Sequence, residues 1–224
     1  MSDVDEAQQI AGHMTRMPRG VLRVTIPLSY GQHRLAAIIG AYTQAYPQVQ
    51  LDIALSDRKV DLVDEGFDLA IRIGAMPQSD LIARKIGAER SIVCAAPAYL
   101  AQHGTPATPA DLGAHACLGY TLSGSGSEWK LEGPGGPLAV PIAGPIRADN
   151  GDLIRLAALG GAQDRVPAAL HRRRRHRGGL GWCAFWRTGS LPNWACTRFY
   201  PSRKHLSAKV RTFVDFLADA MRQV

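Results

Sequence analysis

Between Val21 and Ile73 the chain switches repeatedly between two kinds of apolar spacing. Val21, Leu22, Val24 and Ile26 form a strand-like run that Pro27 ends. After the loop Leu28-Ser29-Tyr30-Gly31, the positions Leu35, Ile38, Ile39, Tyr42 and Tyr46 follow helical spacing and make one apolar stripe, closed by Pro47. Val49, Leu51, Ile53 and Leu55 then alternate strictly, which predicts a second strand. A short helix is expected from Lys59 to Glu65, stopped by Gly66, and a third strand over Phe67–Ile73, stopped by Gly74. The order β-α-β-α-β predicts a parallel sheet covered by helices.

A second α/β stretch begins near Ile92. Pro97, Tyr99 and Leu100 open a helix, and Thr105 to Leu112 reads as a turn before a helical start. Residues 123–137, rich in Gly, Ser and Pro, predict a hairpin. Asp149-Asn150-Gly151-Asp152 caps a helix carrying Leu153, Leu156, Ala157 and Leu159. Val210, Phe213, Val214, Leu217 and Met221 make a C-terminal amphipathic helix, and Val4, Gln8, Ala11 and Met14 are loosely spaced like the tail of another.

The composition is that of a globular chain, with 46% hydrophobic and 20% charged residues in 224. No apolar run approaches the ~20 residues that span a bilayer, so no membrane partner is expected. The first residues are polar and acidic (Asp3, Asp5, Glu6), unlike a signal peptide, and a cytoplasmic location is the expectation. Cys94, Cys117, Cys183 and Cys196 have neither CxxC pairing nor metal-ligand spacing with His, and read as buried free thiols. Arg165, Arg172, Arg173, Arg174, Arg175 and Arg177 lie in one short block, and without them the net charge falls from +7 to +1. The chain is therefore near neutral apart from one segment.

No HExxH, GxSxG or Walker-type loop is present, and Gly160-Gly161 ends a helix rather than following a strand. Neither an enzyme nor a cofactor or metal site is expected. The candidate chemistry lies at strand ends, where open α/β sheets bind ligands. Ser29, Tyr30 and Gly31 follow the first strand, Ser56 the second, and Arg72 and Gly74 stand at the third. Ser29 sits just before a helix, whose free N–H groups and dipole favour an anion. Its plainer role is that of an N-cap, and Ser56 that of a turn residue. Arg72 stands among apolar neighbours on the face opposite Ile71 and Ile73, where it either reaches a ligand, extends to solvent or pairs with Asp68.

The run GVLRVTIPLSYGQHRLAAIIGAYTQAYPQVQLDIALSDRKVDLVDEGFDLAIRIG resembles the start of the effector domain of LysR-type bacterial transcription regulators. The runs LIARKIGAERSIVCAAPAYLAQHGTPATPADLGAHACL, RADNGDLIRLAALGG and YPSRKHLSAKVRTFVDFL are similar to later parts of it, in the right order. The likeness covers about residues 17–162 and 200–222. It implies an α/β fold of two Rossmann-like lobes with mainly parallel sheets, like a periplasmic binding protein, joined by two crossover strands with a small effector between the lobes. The expected division is the end of a linker helix (1–17), lobe I (18–91 with 198–224) and lobe II (92–197). The family's ligand contacts fall on Ser29, Tyr30, Ser56, Arg72 and Gly74 in lobe I, with Gly31 beside them, and near Tyr120, Thr121 and Asn150 in lobe II. The implied partners are a small, possibly anionic effector and further copies of the chain, as a homodimer or tetramer. DNA is expected only through an N-terminal winged helix-turn-helix that this sequence lacks. A transport solute-binding protein is the alternative with a compatible fold.

Residues 163–199 depart from that resemblance. The block AQDRVPAALHRRRRHRGGLGWCAFWRTGSLPNWACTRF shows neither helical nor strand periodicity and concentrates Arg and Trp, as GC-rich DNA does when read out of frame. Back-translated and shifted by one base, DRVPAALHRRRRHRGG can read IAFLPRFIVAADIAAG. From Gly181 a further one-base shift can read LVRVLADWQPAELGVHAL, and both strings are family-like. The rival reading is a basic patch for nucleic acid, and a solvated charge run is the usual one. If the polypeptide carries the block as written, the second lobe is expected to lose a core strand. We hypothesise a frame error, and resequencing the gene across this block is expected to show it. An unambiguous in-frame read of the Arg-rich codons would sink the idea.

Overall fold

In the computed structural model of the chain, the described residues are 17–73, 82–89, 91–123, 127–133, 136–159, 168–172, 183–184, 194–200 and 207–222. The helical tail expected over residues 4–16 and the ligand position Gly74 lie outside them. The chain divides into two units, Met1–Gly87 with Ala195–Val224, and Ala88–Trp194. The crossings fall inside two strands, a few residues earlier than the expected 91/92 and 197/198.

The first unit is built on β1 (Gly20–Ile26), a helix α1 and β2 (Val49–Leu55). α1 runs without a break through Leu28–Tyr30, a π-helical stretch Gly31–Leu35, and Ala36–Ala45. β3 (Leu69–Ile73) and β4 (Ile82–Glu89) follow in the same unit's sheet, whose order is β2-β1-β3-β12-β4. β12 (Trp194–Tyr200) is antiparallel to β3. β1 pairs in parallel with β2 from Gly20↔Val49 to Ile26↔Leu55, and with β3 at Val24↔Leu69 and Thr25↔Ala70. The strands read from alternating apolar residues are therefore present and in register.

The predicted stripe of α1 faces the sheet. Leu35 and Tyr42 are fully buried beside Leu22, Val24, Ile26, Leu69 and Ile71, with Ile38, Ile39 and Tyr46 packed against them. The C-terminal helix Ala208–Arg222 covers the same core with Val210, Phe213, Val214 and Leu217. Phe213 meets the Tyr42 ring edge-on at 4.9 Å, and Tyr42 Oη lies 3.0 Å from Thr212 Oγ1. Gly31 lets Leu55 lie close against α1: a Cβ there would sit 2.5 Å from Leu55 Cδ2 and push that methyl aside.

The helix expected over Lys59–Glu65 is not formed; residues 62–66 are turns. Asp61 Oδ1 accepts the N–H groups of Val63 (2.9 Å) and Asp64 (3.1 Å), offering the backbone a local partner that competes with a helix. Gly66, at φ +68, then ends the turn with an N–H bond to the Val63 carbonyl.

The second unit carries β5 (Ser91–Ala95), α2 (Pro97–His103), a 3₁₀ turn Pro109–Ala114, β6 (Cys117–Tyr120), the antiparallel hairpin of β7 (Glu128–Gly133) and β8 (Gly136–Pro141), β9 (Arg147–Ala148) and α3 (Gly151–Leu159). The hairpin stands where the Gly- and Ser-rich stretch predicts it. The 3₁₀ turn opens on a capping box in which Asp111 Oδ2 accepts the N–H of Thr108 at 2.7 Å. β10 (Ala168–Arg172) lies between β5 and β6 in the order β11-β5-β10-β6-β9, with β11 at Cys183–Ala184. β10 and β11 fall in the block read as lacking strand periodicity, and the core strand expected to be lost is in place. Pairing is made by main-chain groups, and without β10 the facing edges of β5 and β6 would keep unpaired N–H and C=O groups.

The core of this unit holds Val93, Ala95, Tyr99, Leu112, Cys117, Trp129, Leu131 and Val140. Tyr99 Oη accepts the Ala116 N–H at 3.0 Å and lies 3.1 Å from Nδ1 of buried His115. The thiols of Cys94 and Cys117 are buried, as read from the sequence, and burial pushes them up to about 12 and about 11. An unfolded thiol ionises near ~8.5, so above that pH the unfolded chain releases protons that the native chain retains. Urea denaturation is expected to show stability falling as pH rises from about 8.5 towards 11. Cys94→Ala should flatten that fall, and an unchanged slope would show that the thiol does not contribute.

Candidate functional site

All three parallel strands of the first unit end at one edge of the sheet. β1 leads directly into α1, β2 into Ser56-Asp57-Arg58, and β3 closes on Arg72 and Ile73. The edge is held by the main chain, since the Ser56 N–H donates to the Ile26 carbonyl at 2.8 Å. It therefore gathers Ser29, Ser56, Asp57 and Arg72, together with Thr25 from the body of β1.

Ser29 lies inside the first turn of α1, not before it. Pro27 is the N-cap and makes no side-chain cap bond. Ser29 is thus no cap: its Oγ is buried without a hydrogen-bond partner among the described residues, a state that costs roughly 1–3 kcal/mol unless something satisfies it. The adjoining Leu28 N–H donates to Asp57 Oδ1 at 3.2 Å. The π-helical turn Gly31–Leu35 comes next, a distortion found often at functional sites.

Arg72 neither extends to solvent nor pairs with Asp68. Asp68 instead accepts from Lys209 Nζ at 2.8 Å and from the Arg23 N–H at 3.0 Å. The Arg72 guanidinium folds along the strand ends and donates to Thr25 Oγ1 (3.0 Å), the Ile71 carbonyl (2.8 Å) and the Arg58 carbonyl (3.3 Å). Burial pushes its pKa below the ordinary value and the charge of Asp57 opposes that. Thr25 is fully buried. Arg58 is tied to Glu65, with Nη1 2.8 Å from Oε1.

Two of the predicted positions serve packing. The Tyr30 ring is buried in the core with its hydroxyl 3.3 Å from Met221 Sδ, and Gly31 admits Leu55. Ser56 is half-buried and its Oγ accepts the Arg58 N–H at 3.4 Å. Asp57 and Thr25 escaped the sequence reading. Asp57 had a usable signal, because it follows Ser56 at the same strand end. Thr25 had none, because a polar residue inside a strand gives no sign of which cation it meets.

In the second unit, Tyr120 ends β6 opposite Ala148 of β9, and Thr121 opens an exposed 3₁₀ turn. Asn150 follows β9 and caps α3: its Oδ1 accepts the Leu153 N–H at 2.8 Å. These three also share one strand-end edge, but the Asn150 carbonyl oxygen is committed to the helix. Among the described residues, no group of three or more His, Cys, Asp or Glu could hold a metal ion.

A mainly parallel α/β chain in two units, each with polar residues gathered at its strand ends, has the architecture of a two-lobed ligand-binding domain. The family model described as "LysR substrate binding domain" matches residues 15–222, and the chain belongs to that family. It is 35% identical over 162 residues to the HTH-type transcriptional regulator DmlR of Escherichia coli (strain K12), covering 72% of this chain and 53% of that one. It is 33% identical over 231 residues to an HTH-type transcriptional regulator of Xanthomonas campestris, covering 96% and 63%. The chain thus spans about half to two thirds of these relatives. Among solved structures, it is similar to CrgA, a LysR-type transcriptional regulator from Neisseria meningitidis, with 27% identity, a TM-score of 0.76 and coverage of 97% and 73%. The full-length Vibrio cholerae virulence activator AphB shares the fold, with a TM-score of 0.76 at 24% identity.

Asn150→Ala removes the cap of α3 and is expected to destabilise the chain by about 1 kcal/mol in urea denaturation. A change near zero would mean that water replaces the Asn150 oxygen at no cost.

Proposed function

We propose that this chain is the effector-binding regulatory module of a LysR-type transcription regulator, and that its first-unit ligand contacts are Ser29, Ser56 and Arg72. The observation that carries this reading is the buried Ser29 Oγ, without a hydrogen-bond partner among the described residues, at the strand-end edge that also carries Arg72, in a chain of this family. An acceptor group on a small molecule would satisfy Ser29, and a negative charge would suit Arg72 and the dipole of α1. Tyr120, Thr121 and the backbone around Asn150 supply contacts from the second unit. Tyr30, Gly31 and Gly74 act through their backbone, because the Tyr30 side chain is taken up by the core and glycine has none.

The module binds and does not catalyse. Support for this, and against a transport solute-binding protein, is that the relatives it matches are transcriptional regulators. Regulation follows from linkage: an effector that favours one arrangement of the two units shifts the population towards it. The module acts as a homodimer or tetramer in the cytoplasm. DNA contact is made by a helix-turn-helix, the element that the relatives' names carry, and no membrane is involved. No helix among the described residues is long and apolar enough to cross one.

A thermal-shift screen against small organic acids is expected to yield a stabilising ligand. With that ligand, calorimetry should show Arg72→Ala weakening binding by about ten- to a hundredfold, the worth of a charge-assisted hydrogen bond of ~1.5–3 kcal/mol. Ser29→Ala should weaken it by about two- to tenfold, and both variants should keep the wild-type circular dichroism. Unchanged affinity in both variants would remove these two residues from the site.

A further inference from the structure

Thr25 is fully buried in β1, the strand that stands between β2 and β3. A hydroxyl in such a place has lost its water and needs a partner within the protein. Its register partners are Ala54 on β2 and Ala70 on β3, and neither side chain can serve. Arg72, two residues beyond Ala70 and on the same face of β3, does: its Nη2 donates to Thr25 Oγ1 at 3.0 Å. The other two acceptors of the guanidinium are main-chain carbonyls, those of Ile71 and Arg58. Thr25 Oγ1 is therefore the only side-chain acceptor of the three. Nη1 and Nη2 carry all of these bonds, and Nε is left without a partner among the described residues. Ser29 Oγ, at the same strand-end edge, is likewise without one.

We propose that Thr25 is a positioning residue of the effector site, whose hydroxyl holds the Arg72 guanidinium along the strand ends and leaves Nε for the acidic group of an effector. The inference rests on the effector-site reading above. β1 and β3 are already joined by main-chain pairing at Val24↔Leu69 and Thr25↔Ala70, so the side-chain bond is not needed to hold the strands together. What it fixes is the arginine. A free Arg side chain has many rotamers to lose, and a binding residue ordered in advance loses fewer when the ligand arrives. Thr25 suits the task for two reasons. Its backbone is held by the ladder on both sides, and a β-branched side chain is stiff at χ1, so the acceptor stays in one place.

The test uses the whole chain, sodium acetate as the probe and sodium chloride as the ionic-strength control. Amide NMR at Ser29 reads binding, and nitrogen relaxation reads the order of the Arg72 Nε–H. Thr25→Val keeps the shape of the side chain and removes the acceptor. It is expected to bind acetate about two- to tenfold more weakly than the wild type, the effect of one rotamer-rich side chain that must now be ordered on binding. Its Arg72 Nε–H should be mobile in the free chain. Thr25→Ser loses the methyl and keeps the acceptor, so it should match the wild type in both readouts. Thr25→Val added to Arg72→Ala should weaken binding no further than Arg72→Ala alone. Wild-type affinity in Thr25→Val, with binding weakened in Arg72→Ala, would overturn the role of Thr25 and leave the site standing. A loss in Thr25→Ser as large as in Thr25→Val would overturn it too, by assigning the effect to packing of the methyl. Acetate binding that is unchanged in Arg72→Ala, or absent from the wild type, would sink the site and the role of Thr25 with it. If Thr25→Val does not fold, the Arg72 Nε–H of the free wild type and of Thr25→Ser decides. Order in both is expected, and motion like that of an exposed arginine overturns the proposal.

Discussion

β1 runs parallel to both of its neighbours, and most of the first unit follows from that. A parallel pair cannot be closed by a tight turn, so the chain must return across a face of the sheet between strands. α1 makes one such return, and the irregular segment 56–68 makes the other. Both therefore start from the same edge, which brings a helix N-terminus and two strand ends together. Register tightens the arrangement: Ile26 stands opposite Leu55, so Ser29 and Ser56-Asp57 leave the sheet at the same level.

The buried aromatic cluster secures this from a distance in sequence. Tyr42 and Phe213 meet edge-to-face, and the Tyr42 hydroxyl reaches Thr212. Burial pushes the Tyr42 phenol above its ordinary pKa, so it stays neutral in the core. The C-terminal helix is thereby fixed on α1, and Tyr30 joins the same core through Met221. A residue beside the strand-end edge is thus spent on holding that edge in place.

Charge at the site is balanced by residues close to one another in the fold rather than in a pair. Arg72 is partly desolvated and hydrogen-bonded to neutral groups, while the negative charges of Asp57 and Glu65 favour its protonated form. Asp68, the acid one would pair with it from sequence spacing, belongs instead to Lys209 and the Arg23 amide.

Much of the fold was legible in the chain itself. The strands 20–26, 49–55 and 69–73, the stripe of α1 and the terminal helix come from local spacing of apolar residues, because burial on one face imposes a period of two or of 3.6, and the hairpin at 128–141 from the Gly, Ser and Pro of residues 123–137. The strand-end location of Ser29, Ser56 and Arg72 was legible for the same reason, once the strands were placed. The turn at 62–66 was not, since Asp61 competes with a helix through bonds that spacing does not reveal. Nor was the pairing of β10, where main-chain groups complete the sheet whatever side chains they carry. The cap at Asn150 was legible too, being a contact across three positions, whereas only the tertiary structure decided that Tyr30 turns into the core and that Asp57 reaches the start of α1. Those outcomes depend on which groups meet across 29 or 191 positions of sequence, and no local pattern encodes such a meeting.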